Sequence, residues 1–423
     1  MSKIYLYLVL AILLAAASAC QRYNPAVLSP VISSGLSAAD EDLIRKAEAE
    51  IEAGPSDPAR YIKLASLYIK TARISGDFAL NRKAESSIKK ALELAPHDTN
   101  ARRLNLSLQA TFHRFKDAVE IGNEMLKEFP MDSFIYGILT DANVELGNYD
   151  AAVAAAQKMV DLKPNSSSYA RVGHIRSLYG DHKGAIEMLT KASLTTDPLD
   201  KEARSWCLVF LGKEYFKVGE FDLAEKAIDE SLNISPGYLL AKVEKSRIVA
   251  ARGDYDGAAS LLGDDGNQFL SPQAYILRGD IASRQGRSAD AGAEYQRAED
   301  AAHNLEGDMH PFALLWADHD VRLDEALDIA EKDFAVNKDI YAADILSWCL
   351  YKKERYVEAE AAVNQALRLK TNDARILYHA GMVAKALGNK NSARDYLRSA
   401  LKANPKFDLL QADNAAIALG SLQ

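Results

Sequence analysis

Two aspartates and two histidines in the last third of the sequence have side chains that could bind a metal ion. Carboxylate oxygens and imidazole nitrogens are common ligands of divalent metals, and the candidates are Asp318, His319, Asp344 and His379. Such side chains bind one ion only if their helices bring them within bonding distance. A hydrogen-bonded network of the same side chains is the alternative that we favour. We therefore expect no metal or other cofactor, and these four residues are the candidate ligands if a metal is bound.

The sequence contains none of the motifs that mark the common catalytic centres. The phosphate-binding GxxxxGK[ST] loop, the GxSxG nucleophile turn, the HExxH zinc motif and the CxxC pair are all absent from it. The eight histidines are scattered along the chain rather than grouped. The sequence therefore predicts a protein that is not an enzyme.

The first twenty residues are typical of a protein that is exported from the cytoplasm. Lys3 is followed by an apolar stretch, Ile4 to Ala19, that is shorter than the roughly 20 residues needed to span a bilayer. A short basic start, a short apolar run and small residues at its end indicate a cleaved secretory signal peptide rather than a transmembrane anchor.

The segment Ala17-Ser18-Ala19-Cys20 resembles the lipobox of bacterial lipoproteins, although Leu usually stands where this sequence has Ala17. The resemblance implies that Cys20 is diacylated and becomes the first residue of the mature chain. Gln21 stands where an Asp would favour the inner membrane, so the resemblance implies the outer membrane of a Gram-negative bacterium, facing the periplasm. Ala17 and Ala19 also fit an ordinary signal peptidase, which would leave the protein soluble in the periplasm or secreted.

The helices that would position the candidate residues come from a repeat. One alanine recurs in similar surroundings about every 34 residues, at Ala84, Ala118, Ala152, Ala185, Ala224, Ala258, Ala291, Ala326, Ala359 and Ala393. A glycine stands five residues before six of them, at Gly147, Gly180, Gly219, Gly253, Gly286 and Gly388. Apolar residues recur at three and four positions within each unit, which predicts two amphipathic helices. The glycine lets the chain reverse between them, and the small alanine lets them approach closely.

This pattern resembles the tetratricopeptide repeat. In the clearest unit the signature positions are occupied by Leu211, Gly212, Tyr215, Gly219, Ala224 and Pro236. The resemblance implies an all-α fold, a right-handed α-solenoid of about ten helix-turn-helix units with a flanking helix at each end. The chain then divides into a signal peptide, a lipidated cysteine with a tether, a leading helix, ten repeats and a C-terminal capping helix, at residues 1–19, 20–38, 39–57, 58–407 and 408–423.

In proteins of this family, the first helix of each repeat lines a concave groove that binds partner segments. Aromatic side chains provide rigid contact area there, and charged side chains fix the register of an extended peptide. The resemblance assigns to this groove Phe134, Arg171, His174, Trp206, Phe210, Lys213, Arg247, Phe312, Tyr341, Asp344, Trp348 and Tyr378. For Trp206 and Trp348, packing between neighbouring helices is an equal alternative.

The composition excludes several classes of protein. A net charge of −8 argues against nucleic acid as a partner, because nucleic-acid-binding proteins carry a basic excess. Three cysteines in 423 residues exclude a disulfide scaffold and a cysteine-rich zinc array. Cys207 and Cys349 fall inside helical patterns, so we expect both to be buried free thiols.

Together these observations predict a scaffold or assembly adaptor that is anchored in the outer membrane and binds a protein or peptide partner in its groove. Two other classes remain open. Aromatic stripes also stack on sugar rings, so the chain could be a glycan- or small-ligand-binding module of envelope polysaccharide export. A metal-binding periplasmic protein that uses the histidine and aspartate set is the third class.

Overall fold

The computed structural model describes residues 38–75, 78–263, 271–304 and 310–422. Within these ranges the chain forms 22 α-helices and no strand, which confirms the expected all-α fold. The predicted signal peptide and Cys20 lie outside the described residues, as does nearly all of the predicted tether.

The helices follow one another along the whole described chain. The first eleven are α1 (Ala38–Ala53), α2 (Pro58–Ser75), α3 (Ala79–Leu94), α4 (Thr99–Thr111), α5 (Phe115–Glu128), α6 (Ser133–Glu145), α7 (Tyr149–Leu162), α8 (Ser166–Leu178), α9 (His182–Leu194), α10 (Lys201–Lys217) and α11 (Phe221–Ile234). The others are α12 (Leu239–Ala251), α13 (Tyr255–Leu261), α14 (Pro272–Arg284), α15 (Ser288–Asn304), α16 (His310–Asp318), α17 (Leu323–Val336), α18 (Ile340–Lys352), α19 (Tyr356–Ala366), α20 (Ala374–Ala386), α21 (Lys390–Ala403) and α22 (Gln411–Gly420).

The helices pack in consecutive pairs, from α2 with α3 to α20 with α21. This arrangement gives ten pairs in the described chain, and, except between α14 and α16, the first helix of one pair also packs on the first helix of the next. The first helix, α1, packs against α2 at one end, and α22 packs against α21 at the other. The result is the α-solenoid that the repeat spacing predicts, because each pair buries its apolar face only by stacking on its neighbours.

The recurrent alanine lies where the two helices of a pair cross. All ten copies are buried, and in several pairs a small residue of the first helix faces the alanine. A Cβ added at Gly212 would lie 3.1 Å from the carbonyl oxygen of Ala224. Ser246 Oγ donates a 2.8 Å hydrogen bond to the carbonyl oxygen of Ala258. These contacts explain why a larger residue is not found at the crossing point.

The turns between paired helices use left-handed backbone. The six turn glycines have φ between 71° and 91°, where an added side chain would strain the backbone. His113 and Glu354 stand at the same place in pairs that lack the glycine, and they adopt φ of 59° and 58°. The turn geometry is therefore kept even where the residue that favours it is missing.

Successive turns of the superhelix touch each other. The backbone N–H of Lys338 donates a 2.9 Å hydrogen bond to the carbonyl oxygen of Glu145. Asn404 Nδ2 donates a 2.7 Å hydrogen bond to the carbonyl oxygen of Phe216. Between these two points, a Cβ added at Gly180 would lie 3.2 Å from the backbone of the loop after the ninth pair. The turns of the third to fifth pairs thus meet the loops that follow the eighth to tenth pairs.

Apolar packing reinforces this contact between distant parts of the chain. Ile340 is fully buried and belongs to the same hydrophobic cluster as Val144, Tyr149 and Cys207. The backbone N–H of Ile340 also donates a 2.9 Å hydrogen bond to the hydroxyl of Tyr149. The last three helix pairs therefore face the central pairs across the inside of the solenoid.

Candidate functional site

A cavity of about 270 Å³ lies between the central and the last helix pairs. Its wall is formed mainly by the first helices of the pairs, α8, α10, α12, α14, α16 and α18, and by the segments that begin α20 and precede α22. Six of the twelve residues that the sequence assigns to the groove line this cavity, namely His174, Trp206, Phe210, Lys213, Arg247 and Tyr341.

Two aromatic rings on α10 form one end of the cavity. Trp206 and Phe210 are one helical turn apart, and their ring centroids lie 4.0 Å apart at an interplanar angle of 32°. Both side chains are half-buried, so part of each ring remains open to the cavity. The ammonium group of Lys213 lies 5.8 Å from the centre of the Phe210 ring. This end of the cavity presents apolar area beside a cation.

Three charged side chains on α10 and α12 form a compact group next to these rings. Lys213 Nζ lies 3.1 Å from Glu244 Oε1, and Arg247 Nε lies 3.2 Å from Glu244 Oε2. Burial lowers the pKa of Lys213 to about 8, against the opposing effect of Glu244. Burial would raise the pKa of Glu244, but the two cations hold it below its ordinary value. Glu244 is therefore ionised and shared by two cations.

A second ionic group surrounds Glu214. His182 Nδ1 lies 2.6 Å from Glu214 Oε1, and Ser177 Oγ donates a 2.9 Å hydrogen bond to Glu214 Oε2. Lys217 Nζ lies 3.6 Å from the same carboxylate and donates to Ser177. Burial opposes ionisation of Glu214, yet Lys217 and His182 keep its pKa lowered. Nearby, burial lowers the pKa of His174 to about 3, so this histidine is neutral at physiological pH.

Three further carboxylates lie near one another in the cavity wall, and we call Asp280, Asp318 and Asp408 the acidic corner. Gln411 joins two of them, because its backbone N–H donates to Asp408 and its Nε2 donates a 3.1 Å hydrogen bond to Asp318. Burial, reinforced by the charge of Asp408, raises the pKa of Asp318 to about 6. Burial also raises the pKa of Asp280, although the nearby His319 opposes this effect.

The other groove residues from the sequence prediction lie away from the cavity. Arg171 forms a buried ion pair with Asp141, with hydrogen bonds of 2.7 and 2.6 Å, and burial raises the pKa of Asp141 to about 6. Phe134 is half-buried against the hydrophobic cluster of the second and third pairs. Four further residues are buried in the last three pairs, and none of them lines the cavity, namely Phe312, Asp344, Trp348 and Tyr378.

Trp348 shows why this burial matters. Its ring stacks on Tyr351 at 4.8 Å and on His379 at 4.1 Å, and only 1% of its surface is exposed. Its indole N–H donates a 2.8 Å hydrogen bond to Asp318. A partner segment therefore has no access to the Trp348 ring in this conformation. The ring packs between helices instead of forming part of an exposed binding surface.

The four candidate metal ligands do not converge. Asp344 Oδ1 lies 2.8 Å from His379 Nδ1 in a fully buried pair. His319 instead faces Asp280 at 3.7 Å, and the Trp348 ring lies between Asp318 and His379. Among the described residues, no group of three or more His, Cys, Asp or Glu could hold a metal ion. The four side chains therefore lie in separate contacts and do not surround one point.

The sequence missed the part of the cavity wall that comes from the end of the chain. Arg375, Phe407, Asp408 and Gln411 line the cavity, although only the first stands on a repeat helix. A local signal existed for Asp408, which accepts hydrogen bonds from the first turn of α22 and so resembles a helix cap. No local signal indicates that this cap faces α14 and α16.

The two cysteines within the described chain are free and buried, as expected. Burial raises the pKa of Cys207 to about 12, so its thiol is protonated and unreactive at physiological pH. The described helices include none with both the length and the apolar character that crossing a membrane requires.

Comparisons with known proteins agree with the repeat. Residues 202–312 match the model of a tetratricopeptide repeat-like domain, and residues 374–407 match a tetratricopeptide repeat. No curated protein matches the chain significantly.

Two solved structures illustrate the similarity in fold. The Cut9–Hcn1 hetero-tetramer of APC/C is 15% identical, with 91% of this chain and 93% of that chain covered and a TM-score of 0.36. A tetratricopeptide repeat protein from Parabacteroides merdae is also 15% identical, with 63% and 95% covered and a TM-score of 0.42. Residues 202–312 and 374–407 thus contain tetratricopeptide repeats, and the helix pairs with buried alanines and left-handed turns extend the same architecture along the described chain.

Proposed function

We propose that this chain is a non-enzymatic scaffold that holds a segment of a partner protein in the cavity between its central and last repeats. Tetratricopeptide repeats are typical of protein-interaction scaffolds. The observation that carries the proposal is the pair of half-exposed rings, Trp206 and Phe210, beside the ionic group of Lys213, Glu244 and Arg247. Rigid aromatic area next to fixed charges is the usual composition of a site that anchors a polypeptide.

The cavity is large enough for a few side chains of a polypeptide segment, and its volume lies near the lower end of the range of small-molecule pockets. Small-molecule pockets are usually about 300–1,000 Å³, and this cavity is about 270 Å³. A few side chains of a larger partner fit such a volume while the rest of the partner lies outside. The ionic groups around Glu214 and Glu244 then select the charge and register of the entering side chains.

We further propose that Cys20 carries a lipid that anchors the chain in the outer membrane, with the repeats facing the periplasm. The support is the sequence Ala17-Ser18-Ala19-Cys20 and the absence of Asp at position 21. The experiment is metabolic labelling with radioactive palmitate, followed by membrane fractionation of the wild type and of Cys20→Ser. We expect label and outer-membrane location in the wild type alone. A soluble, unlabelled wild-type protein would contradict the anchor.

The cavity is tested by photo-crosslinking in intact cells. A photoreactive residue replaces Ile276, which lines the cavity, or Lys332, which is exposed on the outer helix α17. We expect a protein adduct from position 276 that disappears when Trp206→Ala is added, whereas any adduct from position 332 is unaffected. An adduct from position 276 that persists in Trp206→Ala, or no adduct there at all, would contradict the cavity as the binding site.

A further inference from the structure

The charges that line the cavity are unevenly distributed. Its wall carries six carboxylates and four lysine or arginine side chains. At the aromatic end, Lys213 and Arg247 share Glu244, and Lys217 lies beside Glu214. Three cations therefore face two carboxylates at this end of the cavity, and the excess negative charge lies elsewhere.

The acidic corner is held mainly by neutral hydrogen-bond donors. Tyr295 donates its hydroxyl to Asp280 at 2.9 Å, and Asp318 Oδ1 accepts from the Trp348 indole and the Gln411 amide. Such donors satisfy the oxygen lone pairs without cancelling the charge.

Positively charged groups lie farther away. His319 Nε2 is 3.7 Å from Asp280, and Arg375 Nη2 is 4.0 Å from Asp408 Oδ2. These separations exceed the 2.7–2.9 Å of a charge-assisted hydrogen bond. Three carboxylates on three separate segments thus face one part of the cavity with incomplete compensation of their charge.

An unpartnered acceptor stands on the same wall. Gln273 and Asp280 are two helical turns apart on α14, and both line the cavity. The Gln273 side chain is 6% exposed, and its Oε1 has no hydrogen-bond partner in the described chain. A buried acceptor without a donor is costly, so this atom indicates that a ligand supplies a donor here.

The pKa values of the surrounding groups are shifted in the directions expected for an excess of negative charge. Burial is the main cause that raises the pKa values of Asp318 and of the Tyr295 hydroxyl. The charge of Asp408 raises the first value further, and the charge of Asp280 raises the second. Burial would lower the pKa of His319, but Asp280 holds it above its ordinary value.

From this arrangement we infer that the partner segment carries a lysine or arginine whose cationic group binds in the acidic corner while a neighbouring apolar residue packs on Trp206 and Phe210. An ammonium or guanidinium group has only donors, which matches the carboxylates, and a backbone N–H of the same segment is the matching donor for Gln273, two helical turns away on α14. The inference rests on the proposed function and adds the chemistry of the segment that the cavity selects.

The test uses a pool of capped random octapeptides and immobilised chain spanning residues 21–423. The retained peptides are eluted and sequenced by mass spectrometry, and their composition is compared with the input pool. As the background control, Ile276→Trp places a large ring in the cavity. We expect the wild type to retain peptides above this background, with lysine and arginine enriched several-fold and acidic residues depleted.

The acidic corner is then changed without changing its shape. Asp280→Asn with Asp318→Asn keeps an oxygen acceptor for Tyr295, Trp348 and Gln411. Its matched control, Asp222→Asn with Asp324→Asn, removes two highly exposed carboxylates elsewhere. For the most enriched basic peptide, we expect about tenfold or more weaker affinity in the corner variant and little change in the control.

The outcomes separate the inference from the proposed function. Retained peptides without basic enrichment, or equal enrichment by the folded corner variant, would overturn the inference and leave the scaffold proposal standing. A wild type that retains no more peptide than Ile276→Trp would overturn both. Far-ultraviolet circular dichroism confirms that each variant is folded, and Asp280→Asn alone replaces the double variant if that protein unfolds.

Discussion

Asn404 donates a hydrogen bond from its side-chain Nδ2 to the backbone carbonyl oxygen of Phe216, 188 residues earlier in the chain, over 2.7 Å. Asn404 is 1% exposed. It stands immediately after the last repeat helix, and Phe216 lies near the end of the first helix of the fifth pair. One buried side chain thus links the end of the solenoid to its centre and helps to close the cavity that we propose as the binding site.

Asn404→Ala should destabilise the chain by about 1–3 kcal/mol, because two hydrogen bonds of a buried side chain are lost. The Phe216 carbonyl keeps only the backbone N–H of Gly219 as a donor, and the backbone N–H of Lys406 loses Asn404 Oδ1 as its acceptor. Urea denaturation followed by circular dichroism measures the change. The control is Asn389→Ala, since Asn389 is exposed and its side chain caps no helix. Equal stability of the two variants would contradict a structural role for the contact between the superhelical turns.

The turn glycines allow a sharper test of the same contact. Gly147 and Gly286 have φ of 71° and 73°, so replacement by alanine strains both backbones by about 1–2 kcal/mol. Only at Gly147 would the new Cβ collide with the backbone of Lys338, whereas nothing lies within 4 Å at Gly286. Gly147→Ala should therefore lower the free energy of unfolding by at least about 1 kcal/mol more than Gly286→Ala. Identical losses would argue that the two superhelical turns do not touch in solution.

The repeat could be predicted from the sequence because its signals are local. The spacing of the alanines and glycines identifies two helices and a turn in each unit, and the buried alanines and positive φ values confirm that interpretation. The closure of the solenoid could not be predicted. It depends on irregular loops about 190 residues apart, and the small rotation between neighbouring repeats that brings them together leaves no pattern in the sequence.

Asp318 should make stability depend on pH. Burial raises its pKa from 3.8 to about 6 in the folded chain, so the folded state binds more protons than the unfolded state between these values. The contribution of Asp318 to stability is therefore lost as the pH rises from about 4 to about 6.

Asp318→Asn removes this titration and keeps the acceptor oxygen. We expect the variant and the wild type to have similar melting temperatures at pH 4, and the variant to melt at a higher temperature at pH 7. Thermal denaturation at the two pH values measures the difference. A variant that is less stable than the wild type at pH 7 would mean that the charge of Asp318 is compensated in the folded chain.

The sequence assigns both Trp206 and Trp348 to the groove, but replacing each by alanine should change stability by different amounts. Trp348→Ala removes a fully buried ring and should cost about 3–5 kcal/mol of stability. Trp206→Ala removes a half-buried ring at the cavity and should cost about 1–2 kcal/mol, with loss of the crosslink from position 276. Denaturation curves and the crosslinking assay, run on both variants, check this. A folded, stable Trp348→Ala protein would contradict the packing of the last three pairs.

The candidate site could be predicted in part from the position of residues within each repeat. That rule placed Trp206, Phe210, Lys213 and Arg247 together, because neighbouring first helices share one face. The same rule placed Trp348 at the groove, where the rings of Tyr351 and His379 cover it instead. The difference arises from tertiary packing between the eighth and tenth pairs, which a single repeat does not encode.

The most direct test of the binding site is methyl nuclear magnetic resonance of the chain labelled at the isoleucine δ1 positions. Ile276 and Ile345 line the cavity, whereas Ile88 is buried in the first repeat and Ile417 is exposed on α22. The protein is titrated with the octapeptide most enriched in the retention experiment. The account predicts saturable shifts at Ile276 and Ile345 while Ile88 and Ile417 stay in place. Saturable shifts confined to Ile88 or Ile417, with no change at Ile276 and Ile345, would contradict it.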